Sequence, residues 1–427
     1  MSTDERFAAT VEELMAESAD GPQGIDNEII EGPVEDFATD FDHTSPEWAA
    51  DPYPIMEDLR ERCPVAHTDR YGGAWLPVRH EDVAAIAYDT EHFTSRSVVL
   101  GNHRPPMEMA PVGIAPPISS DPPFHHDARR ILLPAFAPQK IAKLEESTRA
   151  YCDDLLDAVA DQDVVDAAVS YAQHIPVRVI ADMLGFPPED GELFRGFVHN
   201  VLEGINEPLE KRFEMMQGLF EYLGAQIQDH AANPRDDLTT YLIDAEMDGN
   251  KLDVFHIAGT MALLLIAGID TTWSAIGASI WHLAGHPEDR RRLVEDRELL
   301  PTAMEEFLRA YAPVTMARLV KEEVEIGGCP MQPEDWILLS FPAANRDPEL
   351  FERADEVIID REVNRHSAFG LGIHRCLGSH LARLEVRVAL EAWLDRYPDF
   401  SLADPDAVTW STGQVRGPRV LPVTINR

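Results

Sequence analysis

The stretch Phe369-Gly370-Leu371-Gly372-Ile373-His374-Arg375-Cys376-Leu377-Gly378 sets a single cysteine in a glycine-rich loop. Leu381, Leu384 and Val388 follow at helical spacing, so the pattern predicts a helix that begins just after the cysteine. Unpaired backbone N–H groups and the positive end of the helix dipole stabilise an anion at such a position. The loop therefore favours a thiolate on Cys376.

Cys376 has four possible roles when this loop is considered alone. A phosphate-binding loop fits poorly, because Arg375 stands where G-x-G-x-x-G needs a glycine and no Lys-Ser/Thr pair follows. A catalytic nucleophile would need a histidine base, which His374 or a distant histidine could supply. A thiolate could instead bind a metal ion, and a lone cysteine is often only a small buried apolar residue. The loop alone does not choose among these roles.

The charge of the whole chain restricts its partners. Of 427 residues, 36 are Lys or Arg and 76 are Asp or Glu, which gives a formal net charge of −40. Nucleic acids and anionic membranes would be repelled by such a surface, so neither is expected as a partner.

The cysteines and the N-terminus predict a cytoplasmic protein. Cys63, Cys152, Cys329 and Cys376 are scattered without a C-x-x-C pair, which argues against disulfides and against a zinc site. Residues 1–20 are acidic where a signal peptide would be basic. The longest apolar run, residues 257–269, is too short to span a bilayer and is expected to be a buried helix.

Composition divides the chain into an arm and a body. Residues 1–45 are acidic with few basic residues, so we expect an arm there that is poorly ordered or loosely docked. Residues 46–427 contain no linker and predict one large domain, mainly α with small β regions. Within it, residues 95–120 are rich in Pro, Gly and Met without periodicity, which predicts a long loop at the border of a binding site.

A long central helix is predicted from residue 253 to about residue 282, because this segment is apolar on nearly every side. At 1.5 Å per residue it would be about 45 Å long. Its middle, Ala267-Gly268-Ile269-Asp270-Thr271-Thr272, holds an acid and two hydroxyls, although a buried helix normally tolerates neither a glycine nor an unpaired carboxylate. We expect the Thr271 hydroxyl to bond the Ala267 carbonyl and to open a groove for a small molecule beside Gly268. A kink with a salt-bridged aspartate is the alternative.

The cysteine loop resembles the haem-binding loop of the cytochrome P450 family, Phe-x-x-Gly-x-His-x-Cys-x-Gly. The matching residues are Phe369, Gly372, His374, Cys376 and Gly378. The resemblance implies haem b, iron protoporphyrin IX, with the Cys376 thiolate as its axial ligand. It also implies the fold of that family, a single large domain around the long central helix.

Basic residues elsewhere match the family's ligands for the haem propionates. The helix that begins with Asp121-Pro122-Pro123 resembles one whose histidine and arginine, four residues apart, bond the propionates. His125 and Arg129 are therefore propionate candidates. Arg318 matches a strand arginine with the same role, and His374 is a further candidate donor.

The centre of the long helix resembles the family's oxygen-binding and proton-delivery segment. The matching residues are Ala267, Gly268, Asp270 and Thr271. The resemblance implies that Thr271 hydrogen-bonds bound oxygen and that Asp270 relays protons to it, which makes them the catalytic candidates.

A Glu-x-x-Arg pair at Glu306 and Arg309 resembles a structural pair that a later arginine completes in the family. Two segments could supply that arginine, residues 345–348 and residues 360–361. We expect Arg361 to be the third member.

The resemblance covers nearly everything after residue 46, and it implies a monooxygenase that inserts one oxygen atom of O2 into a substrate, by hydroxylation or oxidative dealkylation. The predicted pocket walls, residues 97–117, 190–211, 261–267 and 314–316, are largely apolar, so a small to medium apolar or aromatic molecule is expected. A cysteine-nucleophile hydrolase, or a haem-thiolate sensor or carrier without turnover, are the alternatives.

Electrons are expected from separate partners, a ferredoxin and its NAD(P)H-dependent reductase, because the sequence has no ferredoxin cysteines, flavin domain or NAD fingerprint. Arg375, Arg383 and Arg387 are expected to form a basic docking patch. Residues 269–274 also resemble, more weakly, the haem domain of self-sufficient bacterial P450s, of which this chain would be an unfused relative.

Overall fold

The computed structural model describes residues 24–202 and 209–426. Residues 203–208, part of the predicted pocket wall at residues 190–211, lie outside this range. The helices in the described chain are α1 (Pro46–Ala50), α2 (Pro52–Arg62), α3 (His80–Tyr88), α4 (Phe124–Leu132), α5 (Pro138–Ile141), α6 (Glu145–Ala158), α7 (His174–Leu184), α8 (Gly191–Leu202), α9 (Leu209–Ala232), α10 (Leu238–Asp244), α11 (Val254–Gly285), α12 (Pro287–Glu295), α13 (Leu300–Ala310), α14 (Phe341–Ala344) and α15 (Ser379–Arg396).

The strands are short and form small sheets. They are β1 (Ile25–Asp26), β2 (Val65–Thr68), β3 (Ala74–Pro77), β4 (Phe93–Thr94), β5 (His103–Arg104), β6 (Val164–Asp166), β7 (Glu246–Met247), β8 (Asn250–Lys251), β9 (Thr315–Val320), β10 (Val324–Ile326), β11 (Cys329–Met331), β12 (Trp336–Ser340), β13 (Phe400–Leu402), β14 (Thr409–Trp410), β15 (Pro418–Val420) and β16 (Pro422–Ile425). The largest sheet has the order β2-β3-β12-β9-β4, and only its β3–β12 pair is parallel. A mainly α fold with small sheets is confirmed.

The central helix α11 organises the helical part of the fold. Its 32 residues correspond to about 48 Å at 1.5 Å per residue. It begins at Asp253, whose carboxylate accepts a hydrogen bond from the backbone N–H of His256, and it packs against α7, α8, α9 and α15. By length and composition α11 could cross a membrane, but most of it is buried inside the fold, as a core helix would be. The prediction ended this helix three residues too early, because Pro287 of the next helix, not His282, marks the stop.

The described part of the predicted arm, residues 24–45, contacts the body. Phe41 is fully buried in the core beneath the largest sheet. The buried guanidinium of Arg70 is bound by both oxygens of Asp40, at 2.8 and 3.0 Å, and by the backbone carbonyls of residues 30, 32 and 33. The acidic composition suggested a solvated segment, but a buried arginine requires such acceptors, so this part of the arm docks on the body.

Candidate active site

The cysteine loop is folded by its own backbone and by glycines with left-handed torsion angles. The N–H of Cys376 donates to the carbonyl of Phe369 at 2.7 Å, which closes the loop before α15 begins at Ser379. Gly372 has φ +66°, and a Cβ at this position would lie 2.1 Å from the carbonyl oxygen of Ala87 in α3. Only glycine therefore lets the loop lie against α3.

The protein alone does not hold Cys376 as a thiolate. The side chain is accessible to solvent, yet desolvation by the surrounding protein raises the pKa of the thiol above its ordinary value. The backbone N–H of Gly378 and the positive charges of Arg129 and Arg375 oppose this effect without overcoming it. The helix start and the nearby arginines therefore stabilise the Cys376 thiolate by less than burial destabilises it. A cation bound to the sulfur would shift the equilibrium from thiol to thiolate.

Basic side chains cluster beside the cysteine loop, and two of them, His125 and Arg318, are buried. His125 is 1% exposed, and neither of its ring nitrogens has a hydrogen-bond partner among the described residues. Its ring lies 4.4 Å, centroid to centroid, from that of His374. Arg318 is buried on β9 and donates to the carbonyl of its neighbour Ala317, and Arg129 donates to the carbonyl of Arg375. The structure thus brings together the four residues predicted to bind the propionates.

The pKa values in this cluster describe a site prepared for an anion. Burial, together with the positive charges of Arg129 and Arg318, lowers the pKa of His125 to about 4. Burial lowers the pKa of Arg318 to about 10 and holds the pKa of His374 well below its ordinary value. Buried donors that lack acceptors are costly, so a ligand with carboxylates fits this cluster and would remove the cost. The residues present therefore fit a haem with its propionates.

The centre of α11 has the hydrogen bond that the sequence predicted. The Thr271 hydroxyl donates to the Ala267 carbonyl at 2.7 Å, and Ala267 is exposed within a helix that is otherwise largely buried. Gly268 serves close packing, because a Cβ there would lie 3.3 Å from the Ile180 side chain of α7. The helix continues without interruption from Val254 to Gly285 through this segment.

Asp270 has a cationic partner that sequence reasoning missed. Its carboxylate is 1% exposed and lies 2.9 Å from the Nη2 atom of Arg419 in β15. The Arg419 guanidinium also lies over the Trp273 ring, 4.4 Å from its centroid. The salt-bridged aspartate considered as an alternative is therefore what the structure contains. The partner lies 149 positions further along the chain, and no local pattern in the sequence indicates it.

The Glu-x-x-Arg pair is the centre of a buried network. Glu306 and Arg309 are both fully buried, with the Nη2–Oε1 and Nε–Oε2 distances at 2.8 Å. Arg361 donates to Oε2 of Glu306 at 3.0 Å, which confirms it as the third member. Asn364, which the sequence analysis did not include, adds another bond to the same oxygen.

The predicted basic docking patch is largely neutralised. Arg383 binds both oxygens of Glu305, at 2.6 and 2.8 Å. Arg387 lies 2.8 Å from a carboxylate oxygen of Glu145 and also contacts Glu391. Arg375 is exposed. The prediction of a basic docking patch is therefore wrong for Arg383 and Arg387, because both are paired with carboxylates. Such pairs are expected in a protein with so many acidic residues.

Known proteins match this chain over most of its length. The family model for cytochrome P450 matches residues 191–406. Nocardicin C N-oxygenase of Nocardia uniformis subsp. tsuyamanensis is 36% identical over 388 residues, which cover 88% of this chain and 96% of that protein. Mycinamicin IV hydroxylase/epoxidase of Micromonospora griseorubida is 34% identical over 375 residues, which cover 86% and 94%. The crystal structure of CYP109E1 from Bacillus megaterium in complex with testosterone superposes with a TM-score of 0.82 at 29% identity and covers 90% of this chain and 100% of that one.

The fold, the cysteine loop and these matches define an oxidoreductase of the monooxygenase class. The chain belongs to the cytochrome P450 family. Membership implies a haem with a cysteine thiolate ligand, an organic substrate, O2 and redox partners. The cysteine-hydrolase alternative is excluded by this membership.

Proposed function

We propose that the chain is a haem b monooxygenase that uses Cys376 as its axial ligand and oxidises a small to medium apolar or aromatic molecule. The observation that carries this proposal is the cluster of buried donors beside Cys376, above all the unpaired ring of His125. No acceptor in the described chain accounts for the two ring nitrogens of His125, and a haem carboxylate beside this ring would.

In the proposed holoprotein, His125, Arg129, Arg318 and His374 bind and orient the propionates. His374 is itself positioned, because its Nε2 atom lies 2.9 Å from the Ser95 hydroxyl. When bound, the haem supplies the chemistry that activates O2 and transfers one of its oxygen atoms.

Thr271 and Asp270 are the proposed proton carriers. The Thr271 hydroxyl lies one residue after a buried carboxylate, and in the structure its proton is held by the Ala267 carbonyl. Rotation about χ1 would release that proton to a ligand on the exposed side of Ala267. Asp270 is held by Arg419, whose side chain is partly exposed, so this pair connects the buried helix with solvent. Protons would reach Thr271 by this route.

A ferredoxin and an NAD(P)H-dependent reductase are the proposed electron donors. The exposed Arg375, one residue before the cysteine, is the feature that supports docking of an acidic ferredoxin at the cysteine side. Such docking would weaken with salt, since exposed charges are screened. The cytoplasmic location and the relation to self-sufficient P450s stay predictions.

The reduced CO-bound spectrum of the purified holoprotein tests the ligand. We expect the Soret band of a thiolate-ligated haem, and we expect Cys376→Ser to lose it while Cys152→Ser, a buried cysteine away from the loop, keeps it. A parent protein that binds no haem, or a Cys376→Ser variant with an unchanged band, would refute the proposal.

A spin-shift titration tests the substrate. The first panel contains simple aromatic compounds and three molecules associated with the related proteins. These are nocardicin C, mycinamicin IV and testosterone. Product formation with ferredoxin, reductase and NAD(P)H then separates a monooxygenase from a sensor or carrier, because the latter would bind ligands without turnover.

A further inference from the structure

Residues 95–121 form a closed loop, called here the site loop, whose two ends meet beside the cysteine loop. The carboxylate of Asp121 accepts hydrogen bonds from the backbone N–H of Ser95, at 2.8 Å, and from the hydroxyl of Thr94. The Ser95 hydroxyl in turn contacts His374, two residues before Cys376. The site loop therefore starts and ends at the candidate active site.

The far part of the site loop rests on α11. The Thr260 hydroxyl donates to the carbonyl of Pro116 at 3.0 Å. A Cβ on Gly259 would lie 2.4 Å from the carbonyl oxygen of Ile114, so the loop backbone contacts the helix backbone directly. This contact lies about two helical turns before Ala267. The site loop thus spans the space between the cysteine loop and the central helix.

Two other segments contact the middle of the site loop: the turn that contains Glu334, and the N-terminal arm. The Nε atom of Arg104 donates to the carbonyl of Glu334 at 2.7 Å, and Arg96 pairs with the Glu334 carboxylate. On its other side, β5 pairs with β1 of the arm, in the register Ile25↔Arg104 and Asp26↔His103. Among the described strands, β1 is the one that pairs with β5.

Side chains reinforce this short pairing. The backbone N–H of Asn27 donates to the Asn102 carbonyl at 2.8 Å, and the Asn27 side-chain amide donates to the same oxygen at 3.0 Å. The Asp26 carboxylate lies 2.7 Å from Nδ1 of His103. A Cβ on Gly24 would lie 2.2 Å from the Arg104 carbonyl oxygen, which shows how closely the two backbones approach.

We propose that residues 24–27, called here the strap, order the site loop over the active site and so limit access to it. The inference rests on the proposed function for the site that the loop covers. The strap has little buried surface, since Ile25 is 47% exposed. It therefore contributes little to the hydrophobic core. It is nevertheless fixed in place, because Asp40 and Phe41 anchor the same arm to the body. A segment that is fixed in place but has little buried surface orders the site loop and adds little to the stability of the domain.

The test uses the full-length holoprotein, a variant that lacks residues 1–27, and the double variant Asp26→Ala/Asn27→Ala. Glu28→Ala, an exposed neighbour, is the matched control. Hydrogen exchange of peptides from residues 97–109 reports loop order without depending on haem chemistry. The association rate of 4-phenylimidazole with the ferric haem reports access to the site.

We expect the exchange of residues 102–109 to accelerate roughly tenfold in both strap variants, with Glu28→Ala unchanged. We expect the association rate of 4-phenylimidazole to rise several-fold, while the reduced CO spectrum and the melting temperature stay close to those of the parent. Unchanged exchange and unchanged association rates in both variants would overturn the proposal. A parent protein without the thiolate-haem spectrum would instead overturn the proposed function, and the exchange data would still decide whether the strap orders the loop.

Discussion

Asp270 and Arg419 form an ion pair between the middle of the central helix and strand β15 near the C-terminus, with the carboxylate 1% exposed and the Nη2 to Oδ1 distance at 2.9 Å. The pair fastens β15 to the segment of α11 that carries Thr271. Gly277 supports the same contact, because a Cβ there would lie 3.3 Å from Pro418. The end of the chain therefore reaches the candidate proton-delivery segment.

Removal of the Arg419 charge should destabilise the protein. Arg419→Met leaves the Asp270 carboxylate buried without this cation, so we expect a loss of about 2 kcal/mol of unfolding free energy. Guanidinium unfolding of the holoprotein measures it. Asp270→Asn combined with Arg419→Met should recover part of the loss, and strictly additive effects of the two substitutions would contradict a direct pair.

Substitution by alanine at two glycines of the cysteine loop should affect haem binding differently. Gly370 and Gly372 both have positive φ, +71° and +66°, so each alanine costs about 1 kcal/mol in backbone strain. Only at Gly372 would the new Cβ collide with a backbone atom, the Ala87 carbonyl oxygen at 2.1 Å, whereas at Gly370 the nearest atom lies 3.6 Å away. We expect Gly372→Ala to purify with much less haem, measured by the ratio of Soret to protein absorbance, and Gly370→Ala to retain it. Equal haem content in the two variants would show that the loop can shift away from α3.

Stability should fall in mildly acidic solution because of His43. Burial lowers the pKa of His43 from 6.5 to about 4, so the unfolded chain takes up a proton first as the pH falls. His43 therefore contributes its full stability above pH 6.5 and loses it progressively between about pH 6.5 and pH 4, by up to about 3 kcal/mol. Unfolding free energies of His43→Gln across this range should show a shallower slope than those of the parent. The exposed His380→Gln is the control, and an equal slope in all three proteins would contradict this assignment.

The sequence predicted local features well and distant partners poorly. The Thr271 to Ala267 hydrogen bond lies within one helical turn, so spacing alone was sufficient to predict it. Arg361 was found through a motif, although 55 positions separate it from Glu306. Arg419 was missed because the pairing of Asp270 depends on how β15 packs on α11, which no periodicity contains. The contact that anchors the arm was missed for a similar reason, since acidic composition does not reveal that the buried Arg70 binds Asp40.

The Thr271 hydroxyl should couple O2 consumption to product formation if the proposed function holds. Thr271→Ala removes the group that we propose passes protons, so O2 consumption should continue while product per NAD(P)H falls by about tenfold and peroxide release rises. Thr271→Ser keeps the hydroxyl and should retain most of the coupling. Thr272→Ala is the matched control, because Thr272 is the next residue of the same helix and is buried. Product and peroxide are quantified per NAD(P)H with the first ligand that gives a spin shift. If Thr271→Ala couples as well as the parent, the proton reaches the site by a route that does not include this hydroxyl, and the role of the Asp270–Arg419 pair would then be structural.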